Sequence, residues 1–183
     1  MRKTMESALD ALAVLEAWRA EEARVRSRSP GIGLGTAPQL AGKTGLEVMQ
    51  AIIEGKLARP PIGDTLDFIL IDAASGRAVF QGRPLARHYN PLGTVHGGWF
   101  ATLLDSALGC AVHCSLPAGK SYTTAELKIN IVRPLTDKVP LVRAEGQVIH
   151  LGGRMATADG RLTGPDGKLY AHASTTCFIF DTP

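Results

Sequence analysis

Between residues 4 and 27 apolar side chains recur at helical spacing. Leu9, Leu12, Ala13, Leu15 and Trp18 form a stripe against Glu- and Arg-rich positions, so the chain opens on an amphipathic helix. Ser29-Pro30-Gly31 ends it, and Gly31 to Gly42 has the composition of a linker. Thr44 with Glu47 three residues on is a capping-box start. Leu46, Met49, Ile52 and Ile53 then share one face of a second helix, which Gly55 closes. After Pro60-Pro61 the period shortens to two. Residues 67–73 and 77–82 read as strands hinged at Ser75-Gly76, and a loop runs from Arg83 to Val95. Residues 97–115 are apolar over a helical length. Residues 123–132 alternate, with Ala125, Leu127, Ile129 and Ile131 against Thr124, Glu126, Lys128 and Asn130. Strand 141–151 turns through Gly152-Gly153 into 154–163, and Pro165-Asp166-Gly167 turns that into 169–180.

Two strands, one long apolar helix and a further series of strands describe an α+β fold. The helix has no second helix among the later strands to pack on, so the economical solution is an antiparallel sheet wrapped around it. The arrangement predicts an N-terminal helical extension over residues 1–55 and a sheet-and-helix domain over 56–183. At 183 residues the chain has room for one core, and 5% aromatics leave aliphatics and Ala to fill it. No apolar run reaches the length of a membrane span. A net charge of +3 without a dense Lys/Arg block argues against a dedicated nucleic-acid protein. Three cysteines with no CxxC motif suit free thiols in a reducing compartment, so the cytoplasm is the expected location.

The candidate chemistry sits where the long helix begins. Asn90-Pro91-Leu92-Gly93-Thr94-Val95-His96-Gly97-Gly98 runs straight into it. Glycines at a helix start leave backbone N–H groups approachable, and the helix dipole adds positive charge there, which suits an oxyanion or a carbonyl oxygen. A Gly-rich turn that merely permits close packing would look the same. Asp105 is the only carboxylate from Gly97 to Ser115, and no Lys or Arg lies at helical spacing from it. Its helical neighbours Gly98, Ala101, Thr102 and Gly109 are small. A carboxylate on such a buried stripe is costly unless it is paired or used. The plain alternative is an Asp that bonds a neighbouring backbone group. Asp105 lies eight residues past Gly97, about 12 Å along a helix axis, so the two reach one substrate only if a second helix copy runs antiparallel beside the first.

The run NPLGTVHGGWFATLLDSALGCA resembles the signature of the hotdog-fold acyl-CoA thioesterases of PaaI type, and YTTAELKINIVRPL resembles the strand that follows it in that family. The similarity spans about residues 60–180 and leaves the two N-terminal helices largely aside. The resemblance implies a hotdog fold and thioester hydrolysis. Asp105 would act as nucleophile or general base. The Gly97 N–H would polarise the thioester carbonyl, Asn90 and His96 would orient the thioester and brace the loop, and Thr124 would hold the attacking water. Asn90, His96 and Gly97 would come from one subunit, Asp105 and Thr124 from the other. The expected assembly is a homodimer at least, and a homotetramer of open arrangement. No cofactor is implied, coenzyme A being part of the substrate, and neither nucleic acid nor membrane is an expected partner.

Other groups carry weaker signals. Arg133 and Arg154 are candidates for the coenzyme A phosphates. Cys110, His113 and Cys114 cluster on the helix, yet no fourth ligand has metal spacing, so no metal is expected. His88, His150 and His172 are isolated. The chain lacks the G-x-S-x-G elbow of α/β-hydrolases. A hotdog hydratase or dehydratase is one alternative, but His88 stands where that dyad has Asp and His96 lies too far along. A non-catalytic acyl-CoA-binding module is the other.

Overall fold

In the computed structural model, which describes residues 2–182, the elements run α1 (Arg2–Arg28), α2 (Ala37–Leu40), α3 (Gly45–Ile53), α4 (Pro61–Thr65), β1 (Phe68–Ala74), β2 (Arg77–Gly82), α5 (Gly97–His113), β3 (Lys120–Ile131), β4 (Val142–Leu151), β5 (Met155–Thr163) and β6 (Leu169–Asp181). The six strands form one sheet in the order β1-β2-β4-β5-β6-β3, every neighbouring pair antiparallel. It wraps α5, whose Trp99, Phe100, Leu103, Leu104, Ala107, Leu108, Ala111 and Val112 are all buried. This is the sheet-around-a-helix architecture expected from the strand series and the hotdog signature. Gly146 lets β4 cross α5 at backbone distance: a Cβ there would stand 2.4 Å from the Ala107 carbonyl oxygen.

The N-terminal helices join this body by different means. The Thr44 capping box forms as its sequence predicts: the Glu47 N–H donates to Thr44 Oγ1 at 3.3 Å and the Thr44 N–H donates back to Glu47 Oε2 at 2.7 Å. Met49, Ala51 and Ile52 of α3 are part of the main core. Proline at the first turn starts α4, the short helix that Pro60-Pro61 introduces and that the pattern of apolar residues does not reveal. The segment expected as a plain linker holds the single helical turn α2.

Three expectations need correction. The apolar stripe predicted for α1 includes Leu9 and Leu12, yet these are 60% and 56% exposed. The helix lies on the outer face of the sheet through Leu15, Trp18, Glu22 and Val25, with Val25 packed on Ile69 and Ile71 of β1. A face of spacing 3-4-3 that includes a carboxylate is hidden from hydrophobicity alone. The second correction concerns β3, where the strict alternation is broken. A bulge at Ala125 between Thr124 and Glu126 shifts the register by one. Thr124 therefore turns inward together with Leu127 and Ile129, and Ala125 is exposed. The long helix also ends at His113, two residues early.

Candidate active site

At the start of α5 the loop is stitched to itself. Asn90 Oδ1 accepts from the N–H groups of Leu92 (2.9 Å) and Thr94 (3.3 Å), and its Nδ2 donates to Thr94 Oγ1 at 3.1 Å. The His96 N–H donates to the His88 carbonyl (2.8 Å) and the Val95 N–H to that of Leu135 (2.9 Å). His96 is the N-cap residue, and its Nδ1 accepts the Gly98 N–H at 2.9 Å. The Gly97 N–H is left as an open donor among the described residues, at the positive end of a 17-residue helix. His88 is buried behind this loop and stacks on Trp99, ring centroids 5.6 Å apart, and burial pushes its imidazole below the usual histidine range. Trp99 Nε1 in turn donates to the Leu66 carbonyl at 2.8 Å, tying α5 to the segment after α4.

Two turns along α5, half-buried Asp105 accepts a hydrogen bond from Thr124 Oγ1 at 2.9 Å. This is a side-chain partner from β3 and not the neighbouring backbone. No Lys or Arg among the described residues lies within ion-pair distance of Asp105. The carboxylate lines a cavity of about 220 Å³ whose wall includes Met49 and Ile52 of α3, Ile62 of α4, and Phe68, Leu70 and Phe80 of the first hairpin. Ser106 lines it too, but its hydroxyl is spent on the Thr102 carbonyl at 2.8 Å. The Cys110 thiol also lines the cavity, and burial pushes it up to about 12, which keeps it protonated.

The seven candidate residues thus fall into separate places. Asn90, His96 and Gly97 meet at the α5 N-terminus, and Asp105 meets Thr124. Within one chain these two groups are about 12 Å apart along the helix axis. Arg133 is exposed just past β3, its N–H donating to the Tyr170 carbonyl at 3.2 Å. Arg154 is exposed in the β4–β5 turn, its carbonyl accepting from Ile179. Tyr170 and Ile179 stand nine residues apart on β6, roughly 30 Å, so one chain does not gather the two arginines. Among the described residues no group of three His, Cys, Asp or Glu side chains is placed to hold a metal ion. Cys110 and His113 instead surround Tyr122, whose ring lies 5.5 Å from that of His113. Tyr122 and the α4 wall are the site features that sequence reasoning missed. The proline pair before α4 is the one signal that could have shown them.

Comparison with known proteins bears on the family and the fold. Residues 92–171 match the model of the thioesterase superfamily. A phenylacetic acid degradation-related protein from Ralstonia eutropha is 26% identical, with a TM-score of 0.65 over 71% of this chain and 98% of that one. The TT0310 protein of Thermus thermophilus is 30% identical, with a TM-score of 0.59 over 66% of this chain and 97% of that one. A variant of the phenylacetic acid degradation protein PaaI from the same organism is 29% identical, with a TM-score of 0.58 over 64% of this chain and 97% of that one.

Proposed function

The chain belongs to the thioesterase superfamily, with a hotdog fold and a PaaI-type signature, and from that premise we propose that it hydrolyses acyl- or aroyl-CoA thioesters to the free acid and coenzyme A. The observation that carries this reading is Asp105: a carboxylate with a single hydroxyl partner, no cation among the described residues, and an open cavity in front of it. Such a group either attacks the thioester carbonyl directly or removes a proton from the water that does. Thr124 holds one carboxylate oxygen and so fixes the direction in which the other faces. As the carbonyl becomes tetrahedral its oxygen gains negative charge, and the open Gly97 N–H at a helix N-terminus meets that charge. Collapse breaks the C–S bond and releases the coenzyme A thiolate; the water route gives the free acid at once, and direct attack gives it when water hydrolyses the acyl–Asp105 anhydride and restores the carboxylate.

The two halves of the site belong to two chains in this reading. β3 is a 12-residue strand with one unpaired edge, a template for pairing. A Cβ on Gly97 would stand 3.4 Å from Ile131, at the C-terminal end of β3, whereas Asp105 bonds Thr124 near the other end. Antiparallel pairing of β3 with β3 of a second copy therefore carries Gly97 of one subunit towards Asp105 of its partner. Asn90 and His96 are the braces of the Gly97 loop, and Arg133 and Arg154 are the surface cations proposed for the coenzyme A phosphates. No cofactor beyond the substrate's own coenzyme A is required.

Release of coenzyme A from a panel of acyl-CoAs tests the reading. Wild-type protein hydrolyses members of the panel, and Asp105→Ala does not. Hydrolysis absent from the wild type, or equal in the variant, overturns it.

A further inference from the structure

The cavity has two ends along α5. Asp105 marks the reacting end, and Cys110, five residues on and about 7.5 Å further along the axis, marks the other. β3 runs beside the helix in the opposite direction, Ile131 near Gly97, Thr124 at Asp105 and Tyr122 at Gly109. Thr124 bonds Asp105, and Tyr122, two residues earlier on the same face and about 7 Å away, places its ring in the cavity wall with its hydroxyl towards the Cys110 thiol. The Tyr122 ring has nowhere to retreat. It leans on Gly109 so closely that a Cβ there would lie 2.8 Å from both the hydroxyl oxygen and a ring carbon. The His113 ring blocks the next turn of the helix at 5.5 Å.

We propose that Tyr122, backed by Gly109, is the residue that sets the depth of the acyl pocket and restricts the substrate to short and medium acyl groups. This rests on the thioesterase reading and adds the substrate class to it. A space of about 220 Å³ at roughly 30 Å³ for each water-sized group holds about seven such groups, so an acyl chain of that many carbons fills it and a longer one meets the tyrosine. The walls that such a chain touches, Met49, Ile52, Phe68, Leu70 and Phe80, are apolar. The restriction is therefore one of length.

The geometry gives a test with opposite signs. The assay is kcat/KM over saturated linear acyl-CoAs from acetyl to palmitoyl, with melting curves run on every variant. The wild type is expected to peak near hexanoyl- or octanoyl-CoA and to fall about tenfold for each methylene that the floor excludes. Tyr122→Val removes the floor and moves the peak to longer chains. Gly109→Ala pushes the ring into the cavity and moves the peak to shorter ones. Tyr122→Phe keeps the volume and leaves the profile in place. The Tyr122→Val result stands alone if Gly109→Ala fails to fold. A Tyr122→Val profile that coincides with the wild type overturns the depth role, as does a Tyr122→Phe profile that shifts with Tyr122→Val. A wild type that hydrolyses no member of the series is a different result and overturns the thioesterase reading beneath it.

Discussion

Two carboxylates on two helices contrast a group held on several sides with one that has a single partner and faces a cavity. Glu22, on α1, is the more deeply placed, only 6% exposed. Its Oε1 accepts from Arg26 at 2.7 Å and from Arg83 at 3.2 Å, and its Oε2 from Gln81 at 2.8 Å. Gln81 passes the network on to Arg143, which also pairs with Glu21 and lies over the Trp18 ring at 4.5 Å. Asp105, on α5, is less buried and has one hydroxyl for a partner. Depth alone would nominate Glu22 as the unusual group. The donor count reverses this: a carboxylate already held by two cations and an amide has little capacity left for a substrate. The matched family region, 92–171, contains Asp105 and leaves α1 outside.

The largest effect should fall on the reacting carboxylate. Asp105→Asn keeps the shape and the Thr124 contact but removes the charge. Thioester hydrolysis should fall by about 10²–10⁴-fold with the melting temperature nearly unchanged. Mixed dimers sharpen the claim. Asp105→Ala and Gly97→Pro proteins should each be inactive as homodimers, and a heterodimer of the two should recover one working site. Absence of recovery in verified heterodimers would show that the open donor and the carboxylate do not serve the same substrate. A circular dichroism control on Gly97→Pro keeps a folding defect from imitating that result.

The holding carboxylate should behave in the opposite way. Glu22→Ala leaves Arg26, Arg83 and Gln81 without their common acceptor. The two arginine side chains are 33% and 46% exposed, so water compensates in part and a loss of about 1–3 kcal/mol of stability is expected. Coenzyme A release per folded molecule should remain as in the wild type. A Glu22→Ala protein that melts normally but has lost activity would break the comparison. Thr124→Val lies between the two: it removes one hydrogen bond to Asp105, worth about 0.5–1.5 kcal/mol, and should lower kcat by up to about tenfold while KM changes little.

Asp105 was legible in the sequence because nothing else charged shares its stretch of helix, and the open start of α5 because two glycines begin it. The strand series and its turns also predicted the sheet around α5 nearly to the residue. The contact between Asp105 and Thr124 was legible only through family resemblance. Strict alternation puts Thr124 on the face of Lys128, and the bulge at Ala125 that turns it inward leaves no mark in the period. Glu22 was invisible for another reason. Two of its three donors come from β2 and from the chain just beyond it, about sixty residues away, and a polar residue satisfied by tertiary contacts looks like a solvated one until the fold is known. The cavity is built from α3, α4, the first hairpin, α5 and β3 together, and no local pattern carries its volume.

The smallest effect tests how far the holding network extends. The Arg143 guanidinium lies over Trp18 and also donates to Gln81, so single substitutions mix a cation–π contact with lost hydrogen bonds. A double-mutant cycle with Trp18→Leu and Arg143→Met separates them. The Trp18–Arg143 coupling in urea unfolding should come to about 0.5–1 kcal/mol, with coenzyme A release unchanged in all three variants. A coupling of zero would mean that the Trp18–Arg143 contact adds nothing to the hold on α1. A drop in activity in any of the three would mean that the outer face of the sheet reaches the cavity. In that case the contrast between the two carboxylates is one of degree, since changing the charges around Glu22 would then alter how Asp105 works.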